Sequence, residues 1–234
     1  MIKFFRKIRQ DLLSKGKTGK YFKYAIGEIV LVVIGILIAL QINNLNEQKK
    51  LTKEYISDLN AIKENLEKDA IVISGNIKNG SRYAKEFLER INSNSFIVDE
   101  SSIIMQLGRP TLYIDNSSYI NAKNKNTLNL IQSDSLKNVF HEYYIRQIEL
   151  VQSSADNLEK YGNMLKQNYL ESGRYYEDLS KIEIMNSLMK QGPFIDYLDL
   201  YINEREKTLK KLKVMKDVNT KLIETIDAEL KQIE

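Results

Sequence analysis

The chain carries one uniformly apolar run followed by three amphipathic ones. From Ala25 to Ile42 the only polar side chains are Glu28 and Gln41, and Ile29 to Leu40 is apolar without interruption. A run with no polar face predicts a helix surrounded by apolar material on every side. At about 1.5 Å per residue it extends roughly 27 Å, close to the ~30 Å hydrocarbon thickness of a bilayer. Beyond it, apolar residues recur at 51, 55, 59, 62, 66, 73, 77, 84, 87 and 91, the three-and-four spacing of an amphipathic helix. Unbroken from Asn43 to Ile91, this helix would extend on the order of 70 Å and carry the transmembrane helix straight out of the bilayer. Gly75 and Gly80 are where a bend is expected.

Asn92 to Ser133 is polar and interrupted, with Gly108 and Pro110, and reads as loop with one or two short helices. Ser133 or Asp134 can cap a second long helix with apolar residues at 136, 140, 144, 148, 151, 155, 158, 165 and 169, and Gly173 is its expected stop. A short helix over Asp178 to Lys190 ends at Gly192 and Pro193, and Pro193 suits the first turn of a last helix with a stripe from 195 to 233. Three such stripes cannot be buried singly. The predicted fold is all-α: one N-terminal transmembrane helix continuing into an antiparallel bundle of long helices.

Charge orients this arrangement. Residues 1–24 hold eight lysines and arginines against Asp11 alone, so of the totals of 35 basic and 31 acidic residues, 27 and 30 lie beyond position 24. The basic flank of a membrane segment stays on the cytoplasmic side. We expect 1–24 to be cytoplasmic, 25–42 to span the inner membrane, and 43–234 to form a periplasmic helical domain. A cleaved signal peptide is the rival reading, but the basic region is long and QINN offers no small-residue cleavage site. Residues 2–13, IKFFRKIRQDLL, place Ile2, Phe4, Phe5, Ile8 and Leu12 on one side of a helix that would lie on an anionic membrane surface. Beside a transmembrane run, this is the better reading of the basic tip than nucleic-acid binding.

Candidate chemistry is sparse. With no cysteine, disulfides, thiolate metal sites and cysteine nucleophiles are excluded, and the single histidine, His141, excludes a multi-histidine metal site. GNIKNGSR (75–82) imitates phosphate-loop spacing, but Ser81 stands where lysine is needed and no strand precedes it. His141 lacks any nucleophile setting around a serine and reads as a helix-surface or structural residue. No catalytic, cofactor-binding or metal-binding residues are expected. Glu28 lies about one turn inside the membrane interface, where an anchoring or packing role competes with a specific partner contact. Gly35 and Ala39 form a small-xxx-small pair that would let another helix approach. Among 14 tyrosines, Tyr143, Tyr144, Tyr161 and Tyr169 are a candidate binding surface, with a bundle core rimmed by tyrosines as the alternative.

MIKFFRKIRQDLL and YAIGEIVLVVIGILIALQINNLNEQKK together resemble the opening of a family of uncharacterised bacterial single-pass membrane proteins, a domain of unknown function. YINAKNKNTLNLIQSDSLKNVFHEYY (119–144) is similar to that family's second signature through Tyr119, Leu128, Leu130, Ile131, Leu136, Tyr143 and Tyr144. Leu45, Ala122 and Asn126 depart from it, standing where the family has tryptophan, leucine and glycine. Asparagine is the next best residue at a left-handed position, so the turn at 126 is expected to survive. The resemblance implies topology and no activity. The expected function is a non-enzymatic interaction or structural module whose partner is an unidentified membrane protein or a second copy. The alternative is a periplasmic ligand-sensing module acting through a partner.

Overall fold

The computed structural model describes residues 18–92, 112–175, 181–188 and 190–233, and every regular element among them is helical. The chain divides into two compact units, Met1–Glu54 and Tyr55–Glu234. Helix α1 (Thr18–Asn92) supplies residues to both. The expected amphipathic helix over 2–13 lies outside the described residues.

In the first unit, every Ile, Leu and Val from Ile26 to Ile42 is between 48% and 66% exposed. That is the accessibility of a helix with no apolar partner on any side. Among the described residues it is the one helix long and apolar enough to cross a membrane, and none of its apolar window is buried.

In the second unit, α1 is followed by α2 (Ser117–Asn124), a 3-10 turn (Thr127–Leu130), α3 (Asp134–His141), a π turn (Glu142–Gln147), α4 (Ile148–Tyr175), α5 (Lys181–Leu188) and α6 (Gly192–Ile233). Contacts between helices give their directions. Tyr55 meets Glu229, Lys63 meets Asp227, and the Leu66 carbonyl meets Asn219, so α6 runs antiparallel to α1. Ser154 meets Glu204 and Thr208, while Leu158 and Leu165 pack with Tyr201, Leu198 and Phe194 near the start of α6. Helix α6 is therefore antiparallel to α4 as well, and α1 and α4 point the same way. In the chain, α2 and the 3-10 turn lie between these two parallel helices.

The main core joins Leu59, Ile62, Leu66 and Ile73 of α1 to Leu136, Phe140, Tyr143 and Val151, and to Leu212, Met215, Leu222 and Ile226 of α6. Full burial of each aliphatic side chain is worth about 1.5–3 kcal/mol. A second, smaller core joins α4, α5 and the start of α6. Between the two lies a buried polar layer, in which Ser154 donates to Glu204 at 2.7 Å and its oxygen lies 3.0 Å from the Thr208 hydroxyl.

Several local expectations meet the structure directly. The Ser133 hydroxyl accepts from the Leu136 N–H at 3.2 Å and caps α3. Asn126 is the one non-glycine residue with positive φ among the described residues, at 61°, as its glycine-like place required. Pro193 sits in the first turn of α6, where its missing N–H costs nothing. The glycines differ from expectation. Helix α1 is assigned without interruption through Gly75 and Gly80, because packing at Ile73 and Ile77 outweighs the ~1 kcal/mol that each glycine costs a helix. Gly80 instead permits close approach, since a Cβ there would lie 2.8 Å from the Leu209 side chain, whereas Gly75 faces open space. Helix α4 also runs past Gly173 to Tyr175.

Candidate functional site: a tyrosine and carboxylate cluster in the bundle core

The apolar stripe of α1 is broken on its buried side by three polar residues, Asp58, Asn65 and Asp69. Each holds part of the segment that leads into and through α2. The Asp58 carboxylate accepts from Lys125 at 2.8 Å and from the Thr127 hydroxyl at 2.7 Å. Asn65 donates to the Asp115 carbonyl at 3.2 Å. Asp69 accepts from the Asp115 N–H at 3.1 Å. These bonds are directional and fix the register of residues 115–127 on the bundle, which apolar contact alone would leave loose.

The other oxygen of Asp69 accepts from the Tyr143 hydroxyl at 2.9 Å. That hydroxyl accepts in turn from the Asn219 side-chain amide at 3.2 Å, and the same amide donates to the Leu66 carbonyl at 3.0 Å. Tyr143 stands in the π turn. One extra residue in that turn lets two successive tyrosines both face inward, and Tyr143 and Tyr144 are buried side by side with their rings edge to face at 5.0 Å. Tyr144 stacks on Tyr119 of α2 at 4.1 Å, and Phe140 completes the aromatic group. The turn is clasped by the buried Gln147, whose amide donates to Glu142 at 2.6 Å. Residues five apart face each other across a π turn but not across an α turn.

Burial governs the electrostatics. It pushes the hydroxyls of Tyr143 and Tyr144 far above the usual phenol range, and the Asp69 carboxylate nearby adds to both shifts. Burial also pushes the Asp69 carboxyl up, against the Asp115 N–H and Tyr143 hydroxyl, which favour its ionised form. Asp58 has Lys125 as counter-charge, whereas no lysine or arginine among the described residues pairs with Asp69. Two further polar atoms of this region, the Tyr144 hydroxyl and the Asn219 side-chain oxygen, are buried without a hydrogen-bond partner among the described residues. A buried carboxyl with no paired cation among the described residues is disposed to take up a proton. Among the described residues no group of three His, Asp or Glu side chains is arranged to hold a metal ion.

The residues singled out from sequence fall in separate places. Tyr143 and Tyr144 are core rather than surface, because the π turn brings both inward. Tyr161 and Tyr169 are half-buried against the second core, so the four tyrosines do not form one surface. His141 is exposed, and the phosphate-loop imitation at 75–82 is helical. In the first unit Glu28 is partly covered, while Gly35 and Ala39 are exposed and a Cβ at Gly35 would meet nothing. Asp58, Asp69, Ser154, Glu204, Thr208 and Asn219 were missed. For two of them the signal is a gap in the apolar stripe: 69 is the absent rung between Leu66 and Ile73, and 219 the one between Met215 and Leu222.

A family model described as a family of unknown function (DUF6090) matches residues 28–149, 122 of the 234. Neither a curated protein nor a solved structure matches the chain. The matched residues take in the second signature at 119–144 and most of the apolar helix, while the basic tip lies outside them.

Proposed function

The chain belongs to this family of unknown function, and from that premise we propose that it is a membrane-anchored, non-enzymatic helical module that binds a membrane partner, with its tip in the cytoplasm and its bundle in the periplasm. The observation that supports this reading is the apolar helix from Ala25 to Ile42, exposed along its length and long and apolar enough to cross a bilayer. The eight basic residues before it support the inward orientation of the tip. Glu28, Gly35 and Ala39 lie at intervals of seven and four, which places them on one helix face. Small residues on that face allow a second transmembrane helix to approach, and the carboxyl gives it a polar contact.

In-cell crosslinking of the full-length protein, gentle detergent extraction and mass spectrometry test the partner. A distinct membrane protein recovered with the native chain and lost from a Glu28→Gln, Gly35→Leu variant is the expected result. Recovery of the protein alone from both refutes the adaptor role. Topology is tested separately: a cysteine at Ser172 should react with a membrane-impermeant maleimide in intact cells, and one at Lys17 only after the membrane is breached.

A further inference from the structure

The Asp69–Tyr143–Asn219 chain can run in two directions. With Asp69 ionised, the Asn219 amide donates to the Tyr143 hydroxyl, which donates to the carboxylate, as the 3.2 Å and 2.9 Å bonds show. The Asn219 oxygen is then a buried acceptor without a donor among the described residues. With Asp69 protonated, the carboxyl O–H donates to Tyr143, and the Tyr143 O–H must turn to another acceptor. Rotation of the Asn219 amide by half a turn supplies one, the oxygen that lacked a donor. That rotation gives up the amide bond to the Leu66 carbonyl, which as part of α1 keeps its own helical donor, and sets the Asn219 oxygen in the place of a nitrogen 3.0 Å from that carbonyl, a repulsion that Asn219 must relieve by shifting away.

We infer that Asp69, Tyr143 and Asn219 form a protonation-dependent hydrogen-bond chain, in which proton uptake at Asp69 reverses every bond and turns the Asn219 amide. The surroundings favour such a role. From the segment before α2, the group facing Asp69 is Asp115, a like charge whose own carboxylate is held down by bonds from Ser117. From the π turn it is the phenols of Tyr143 and Tyr144, the latter backed by Tyr119 of α2, and from α6 the neutral Asn219. Lys216 and Asp217 of α6 are exposed, Lys68 of α1 pairs with Glu64 at the surface, and Glu142 turns to Gln147 and Arg146. With no cation paired to it among the described residues, the buried carboxyl accepts a proton more readily than a free aspartate does. Because Asp69 also holds the Asp115 N–H, the same proton reaches the attachment of α2 to the bundle.

The test is carboxyl-carbon and side-chain amide NMR of the selectively labelled full-length protein in lipid nanodiscs, titrated across the acid range. The Asp69 carboxyl should titrate above the range of exposed aspartates, and the Asn219 amide resonances should move with the same midpoint. In Tyr143→Phe the midpoint should rise by about one pH unit, the order expected for losing a hydrogen bond to a charged group. An Asp69 that titrates like an exposed aspartate overturns the inference. An Asn219 amide that stays still while Asp69 titrates, or an unchanged midpoint in Tyr143→Phe, overturns it equally. All three readouts are independent of whether a membrane partner exists.

Discussion

Tyr143 and Tyr144 are adjacent, buried and aromatic, yet removing the hydroxyl from each should act in opposite directions. Tyr143→Phe keeps the ring, so the core packing survives and no cavity larger than one oxygen opens. What it removes is the donor to Asp69 at 2.9 Å and the acceptor for Asn219 at 3.2 Å. A hydrogen bond to a charged group is worth about 1.5–3 kcal/mol, and the carboxylate oxygen that loses its donor is buried. Asn219 still reaches Leu66, so its own loss is small. The expected destabilisation is about 2–3 kcal/mol. Tyr144→Phe removes a hydroxyl that has no partner among the described residues, so it should be neutral or stabilising by up to about 1 kcal/mol. For a unit of this size the first change lowers Tm by roughly 4–10 °C and the second leaves it level or raises it slightly. Far-ultraviolet circular dichroism of the full-length proteins in one detergent, with urea unfolding as a second measure, reads both. Equal losses from the two variants would refute the assignment of the pair to a bonded and an unbonded hydroxyl.

The remaining expectations concern stability and local geometry. The raised carboxyl of Asp69 means the folded chain keeps its proton to higher pH than the unfolded chain, so between the ordinary aspartate range and the raised value stability falls as pH rises. The stability gained by Asp69→Asn relative to the native chain should therefore grow on going from mildly acid to neutral pH, and a gap that stays constant would exclude Asp69 as its source. Ser133→Ala should cost about 0.5–2 kcal/mol through loss of the α3 cap, measured by urea unfolding. Asn126→Gly should be tolerated at its φ of 61°, whereas Asn126→Val should cost about 1–2 kcal/mol or more in the same assay.

Patterns of single residues made much of this molecule legible. The lack of any polar face between Ile29 and Leu40 marks the helix long and apolar enough to cross a membrane, Ser133 marks the start of α3, and Asn126 in a glycine's place marks the left-handed turn. The polar core was written as absences. Asp69 and Asn219 occupy rungs where the stripe needed apolar residues, and a gap in a stripe names neither its partner nor its purpose. The π turn left a fainter trace. Positions 136, 140, 144 and 148 follow one another at intervals of four, longer than the 3.6 of an α-helix, but either of two adjacent tyrosines satisfies an ordinary stripe. The common direction of α1 and α4 was hidden because periodicity reports which face is buried and carries no sign for the axis.

The edges of the family match do not coincide with the edges of the folding unit. The match stops at residue 149, just beyond the π turn, while Leu212, Met215, Asn219, Leu222 and Ile226 all come from α6. Cut at 149, the chain would keep its recognisable signatures yet lay open Leu59, Ile62 and Leu66 and leave Tyr143 without the Asn219 donor. The family match thus covers one side of an interface whose other side, on α6, supplies apolar rungs and one amide. A relative should be aligned through residues 28–149 and judged foldable by what its last helix carries.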